Sequence, residues 1–242
     1  MLPLLEICVD DSLGLAAAVA GGADRLELCA ALELGGLTPS AALIAEAVRS
    51  GCVTHVMIRP RAGSFVLAEG EAALMVEEIR LALAQGAAGV VVGALRPDGT
   101  LDREALARFR DAAQGGAIVL HRAIDCVPDP VVAVGQAVAL GYDHILSSGG
   151  ARSAVEGAST LAAMVAAAGE RISIMAGSGV TPANVARLVA ETGVREVHGS
   201  ASRNGPEPDA ASMRLGFATG PRRETDSAVV AQMRAALAES AR

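Results

Sequence analysis

Leu4-Leu-Glu-Ile-Cys-Val9 and Arg25-Leu-Glu-Leu-Cys29 are the two stretches whose reading decides the fold. In both, apolar and polar side chains alternate, so Leu5, Ile7, Leu26 and Leu28 share one side and Glu6, Cys8, Glu27 and Cys29 the other. A strand covered by helices on one side needs that side apolar, which turns the carboxylates and thiols inward. Six more short runs read the same way: His55–Arg59, Gly89–Gly93, Ile118–Arg122, His144–Ser147, Ile172–Ala176 and Glu196–Gly199. Their starts lie about 21 to 35 residues apart, room for one helix each, as a right-handed parallel crossover requires. Eight strand–helix units predict a single-domain (β/α)₈ TIM barrel spanning residues 1–242.

The intervals carry helix punctuation. Ser12 reads as a cap for the stretch to Ala20, Pro39-Ser40 opens Ala41–Arg49, and Glu71–Gln85 stops at Gly86. Asp102 caps Arg103–Ala113, and Asp129-Pro130 and Thr181-Pro182 place proline at a helix start. Ala154–Ala168 fills the sixth interval. The segment 203–225 reads as an irregular loop after the eighth strand, and 226–241 as a terminal helix closing the barrel.

Composition narrows the chemistry. Apolar residues are 52% of the 242, yet aromatic ones are 2% with no Trp, so a stacking surface for single-stranded nucleic acid is not expected. The net charge is −7 and no basic run appears, which argues against nucleic acid as a partner. All 20 basic residues are Arg. Without a lysine amine, neither Schiff-base aldol chemistry nor pyridoxal phosphate (PLP) can be supported. The first strand runs into Asp10-Asp11-Ser12 rather than a glycine-rich turn, so the nicotinamide fingerprint is missing. No apolar run approaches the roughly 20 residues of a membrane span. Cys8, Cys29, Cys52 and Cys126 are scattered, the usage of a reduced, cytoplasmic protein.

Barrel enzymes work at the C-terminal ends of their strands. That mouth should collect Glu27, Arg59, Arg61, His121, Arg122 and His198. Paired arginines suit a carboxylate or phosphate. The short loops at Gly177, Gly179, Gly199 and Ser200 could add backbone donors for such an anion, or be no more than tight turns. In an enzyme handling a small anion, Glu27 and His121 would serve as general base and acid, with Asp125 or Arg122 orienting the imidazole. The inward charges could equally form an ion-pair lattice that only holds the strands. Cys8 and Cys29, at equivalent places on adjacent strands, could be neighbouring thiolates for Cu(I) or zinc, or ordinary core cysteines.

With the strand ends placed, the chain resembles the CutC family. The resemblance rests on Leu5-Glu-Ile-Cys-Val-Asp10, Gly21-Gly-Ala-Asp-Arg-Leu-Glu-Leu-Cys29, Gly35-Gly-Leu-Thr-Pro-Ser40 and Val56-Met-Ile-Arg-Pro-Arg61. It continues through His121-Arg-Ala123, Leu146-Ser-Ser-Gly149, Ile174-Met-Ala-Gly177 and Glu196-Val-His-Gly-Ser200. It implies a cytoplasmic, oligomeric barrel linked to copper homeostasis that binds a copper ion. The positions matching the family's cysteine ligation are Cys8 and Cys29. Whether catalysis accompanies copper binding stays open at this point.

Overall fold

The computed structural model describes residues 2–240. Eight parallel strands close a barrel in chain order: β1 (Leu4–Val9), β2 (Arg25–Leu28), β3 (Val53–Met57), β4 (Gly89–Val92), β5 (Ala117–Leu120), β6 (His144–Ser147), β7 (Ser173–Ala176) and β8 (Glu196–Gly199). β8 returns to β1 with Leu5 beside Val197 and Glu6 beside His198. The intervening helices are α1 (Ser12–Ala20), α2 (Ala41–Arg49), α3 (Glu71–Ala84), α4 (Arg103–Ala112), α5 (Pro130–Ala139), α6 (Ala158–Ala168) and α7 (Val185–Thr192). This is the architecture that the alternation and spacing predict.

Local chemistry differs from expectation at several ends. Asp11, not Ser12, caps α1, accepting from the Gly14 amide at 2.6 Å, while Ser12 donates to Glu46 on α2. β3 begins and ends two residues earlier than the sequence pattern suggests, so Arg59 and Arg61 stand in the loop beyond it. β5 stops at Leu120, and Arg122–Cys126 coils into a 3₁₀ turn. The stretch expected as an irregular loop contains two short antiparallel strands, β9 (Ser202–Asn204) and β10 (Arg223–Thr225), and between them α8 (Ala210–Leu215). α9 (Ser227–Ser240) follows as the eighth barrel helix, seated between α1 and α7. Ala241, the end of the expected terminal helix, lies outside the described residues.

Leu5, Ile7, Leu26 and Leu28 are fully buried between the strands and the helical shell. The barrel interior is divided. Cys29, Met57, Val91, Val119, Leu146 and Met175 form a separate inner apolar group. The inward positions of β1, β2 and β8 instead carry Glu6, Cys8, Arg25, Glu27, Glu196 and His198, all buried. Burying that many charges is costly unless each is paired, and their pairing defines the site.

Candidate functional site

The lower half of the polar side is a continuous ion network. Glu6 is wholly buried and joins the Arg25 guanidinium and, at 2.8 Å, the His198 Nδ1. The other arm of Arg25 reaches Glu196 at 2.6 Å, and Glu196 holds His144 Nδ1 at 2.9 Å. Burial opposes ionisation of Glu6, but the His198 hydrogen bond and the Arg25 charge outweigh it and hold the carboxyl below the usual range. Burial opposes ionisation of Glu196 too, and His144 and Arg25 bring it down to about 2. His55 lies 3.9 Å from Glu6, yet burial, aided by Arg25, lowers it to about 4 and keeps it neutral at pH 7. Glu6 is therefore a member of an ion-pair network that links β1, β2 and β8.

One layer higher, Cys8, Glu27 and His198 converge. One ligand-capable atom from each lies within 4.8 Å of the others. His198 Nε2 is 3.8 Å from Glu27 Oε2. Burial disfavours the imidazolium, but Glu27, Cys8 and Glu6 together hold the His198 pKa well above its ordinary value. Burial raises Glu27, and the nearby Glu6 charge adds to the effect against the pull of His198. Glu27 Oε1 has no hydrogen-bond partner among the described residues.

Cys29 is not in this group. The barrel's stagger pairs Cys8 with Glu27, not with Cys29, so the two L-E-x-C stretches do not place their thiols side by side. The Cys29 thiol instead donates to Glu27 Oε2 at 3.6 Å, and burial and the Glu27 charge push its pKa up.

A cavity of about 390 Å³ opens above this floor, and Arg59, His121, Arg122, Gly179, His198, Gly199 and Ser200 all border it. Arg59 is buried against Phe65, its guanidinium carbon 5.0 Å from the ring centre. It donates to the carbonyls of Leu34, Gly36 and Gly63, and its Nε has no partner among the described residues. His121 Nδ1 accepts from the Ala123 amide at 3.1 Å, so that nitrogen carries no proton. Burial first, and then the Arg59 charge, lower His121 to about 3. The ring packs so closely on Gly93, just past β4, that a Cβ there would collide with it.

Three expected site residues do other work. Arg61 does not border the cavity; past Pro60 the strand alternation no longer governs direction, and it clasps Glu71 at 2.6 and 3.0 Å and the Val66 carbonyl. Asp125 does not touch His121. It accepts from Ser147 Oγ, Ser148 N, Gly150 N and, at 2.8 Å, Arg122 Nε, knitting the loops after β5 and β6. Gly177 spends its amide on the Ser147 carbonyl and lies outside the cavity lining.

Arg25 and Glu196 were absent from the expected site, although each shares the alternation phase of a residue that was named, Glu27 and His198 respectively. A second signal has no sequence signature. Among the described residues only Ala31, Ser178 and Ala201 are non-glycine residues with positive φ, at +49°, +77° and +43°. They follow β2, β7 and β8, and the last two line the cavity. Left-handed backbone in residues with a Cβ is costly and concentrates at functional sites.

The model of the CutC family matches residues 3–203. The chain belongs to the CutC family. Among its CutC relatives, one from Sinorhizobium medicae is 48% identical over 97% of this chain and 96% of its own. Another, from Caulobacter vibrioides, is 47% identical over 95% and 94%. A solved CutC structure from Streptococcus agalactiae, whose name links it to copper homeostasis, superposes with a TM-score of 0.79 at 36% identity, covering 82% of this chain and 99% of its own. Thiamine phosphate pyrophosphorylase from Pyrococcus furiosus, at 16% identity and a TM-score of 0.62, shares the fold alone. The family model's match ends inside β9, while the Sinorhizobium relative aligns over 97% of the chain; Arg223, Val229 and Met233, which border the cavity, lie past the end of the model's match.

Proposed function

We propose that this CutC family member binds a copper ion at the floor of the barrel mouth through Cys8, His198 and Glu27, and so takes part in copper homeostasis in the cytoplasm. The observation that carries the reading is the convergence of a thiol sulfur, an imidazole nitrogen and a carboxylate oxygen within 4.8 Å. Such a set suits copper or zinc. The surroundings support it. Glu6 occupies His198 Nδ1 and leaves Nε2 facing Cys8 and Glu27, the carboxylate–histidine arrangement that orients metal ligands. The orphaned Glu27 Oε1 would gain a partner. A thiolate ligand for Cu(I), as Cys8 would be, is kept reduced in the cytoplasm. Self-association belongs to the same proposal; the exposed Leu13 and Phe217 offer apolar surface for it, and sedimentation analysis tests it.

Anaerobic Cu(I) titration against a chromophoric chelator tests the site. Wild type should bind one ion, Cys8→Ser and His198→Ala should lose it, and Cys29→Ser should keep it. Binding by Cys8→Ser as tight as wild type overturns the reading. Equal loss in Cys8→Ser and Cys29→Ser would restore the thiol pair in its place.

A further inference from the structure

We propose that the mouth cavity is also a binding site for a small organic oxyanion, a carboxylate or phosphate monoester, whose anionic group pairs with Arg59. This does not rest on the copper reading, because Arg59 takes no part in the floor cluster. Two arginines among the described residues are buried, Arg25 at 3% exposure and Arg59 at 8%. Arg25 is neutralised by two carboxylates, Glu6 and Glu196. Arg59 pairs with no carboxylate among the described residues. Carbonyls from Leu34, Gly36 and Gly63 take three of the four donors on its terminal nitrogens but leave the charge uncompensated, and the buried Nε has no partner among the described residues. A buried, unpaired charge is expensive to maintain. A neutral donor could tie the same loops together, so the guanidinium is in excess of what those loops need.

The surroundings of Arg59 fit such a ligand. The cavity is about 390 Å³, near the small end of the range for metabolite sites. Met57, Leu146, Val180, Val229 and Met233 supply an apolar wall for the body of the molecule. At the rim, Arg223 donates to Ser202 and Asn204 and pairs with no carboxylate among the described residues. Arg122 is already paired with Asp125 at 2.8 Å, so Arg59 and Arg223 are the lining arginines left for a ligand. The strained Ser178 and Ala201 lie on the same lining. An oxyanion on the Arg59 fork would supply the missing counter-charge, with charge-assisted hydrogen bonds that account for affinity.

Isothermal titration with inorganic phosphate, glycerol 3-phosphate and succinate separates the phosphate and carboxylate sources. At least one probe should bind wild type. Arg59→Gln, which keeps a donor for the loop carbonyls, should weaken it roughly 10- to 100-fold, and Arg59→Lys should weaken it less. No binding of any probe to wild type, or unchanged binding to Arg59→Gln, overturns the proposal. Should Arg59→Gln fail to fold, selenate soaked into wild-type crystals decides: an anomalous peak within hydrogen-bond reach of Arg59 supports the site, and peaks only elsewhere refute it. Cys8→Ser should lose copper yet keep the anion, so each proposal can fail without the other.

Discussion

His121 should make the folded state sensitive to acid, with the sign set by its neutrality. The ring is 4% exposed, and its Nδ1 accepts a hydrogen bond from the Ala123 amide that protonation would break. Its folded pKa is lowered from 6.5 to about 3. The unfolded chain therefore takes up a proton first as the pH falls, and stability is lost downward from 6.5 until the folded ring protonates near 3. At 1.36 kcal/mol per pKa unit, the interval from 6.5 to pH 4 costs about 3 kcal/mol. That is a large part of the roughly 5–15 kcal/mol available to a domain. Urea unfolding of wild type and His121→Gln at pH 7 and pH 4 measures it. The substitution costs stability at both values, but the wild-type loss between them should exceed the variant's by about 3 kcal/mol. Parallel losses, or an imidazole NMR titration of His121 near 6.5, would refute the argument.

Other outcomes follow from the same geometry. Glu6→Gln leaves Arg25 and His198 buried without their shared carboxylate and should cost about 3–5 kcal/mol in chemical denaturation. Gly93→Ala places a methyl against the His121 ring and should cost about 1–3 kcal/mol, with a shifted His121 resonance as the local signature. Copper affinity should fall as the pH is lowered, because the His198 pKa is raised and its proton must leave before Nε2 can ligate; proton release on binding, read by titration in buffers of differing ionisation enthalpy, checks this. Arg61→Ala should leave anion binding unchanged while destabilising the start of α3, since Arg61 faces Glu71 and not the cavity.

The barrel was legible because two periodicities act together, alternation along each strand and spacing between strands. Alternation also told truly which side of β1 and β2 faces inward, and Glu6, Cys8, Glu27 and Cys29 are all buried there. It could not give the offset between strands. Cys8 and Cys29 occupy the same place in matching stretches, but closing the barrel staggers β2 against β1 and puts Glu27 beside Cys8. Direction also became illegible past the strand ends. Arg59 and Arg61 share an alternation phase, yet β3 ends at Met57, and the two guanidiniums go to different places. Asp125 follows the same rule: the 3₁₀ turn after β5 aims it at the Ser147 and Ser148 loop rather than at His121.

The cavity's floor and part of its wall come from different tiers of the chain. Cys8, Glu27 and His198 stand on the closed sheet, where moving one disturbs a buried charge network. Arg223 stands on the short antiparallel ribbon after β8, and Val229 and Met233 on α9. Loops tolerate change far better than buried networks do. The exposed Arg223 can therefore change with less disturbance to the fold than Cys8, Glu27 or His198, which leaves the cavity with a rim less tightly tied to the barrel than its floor.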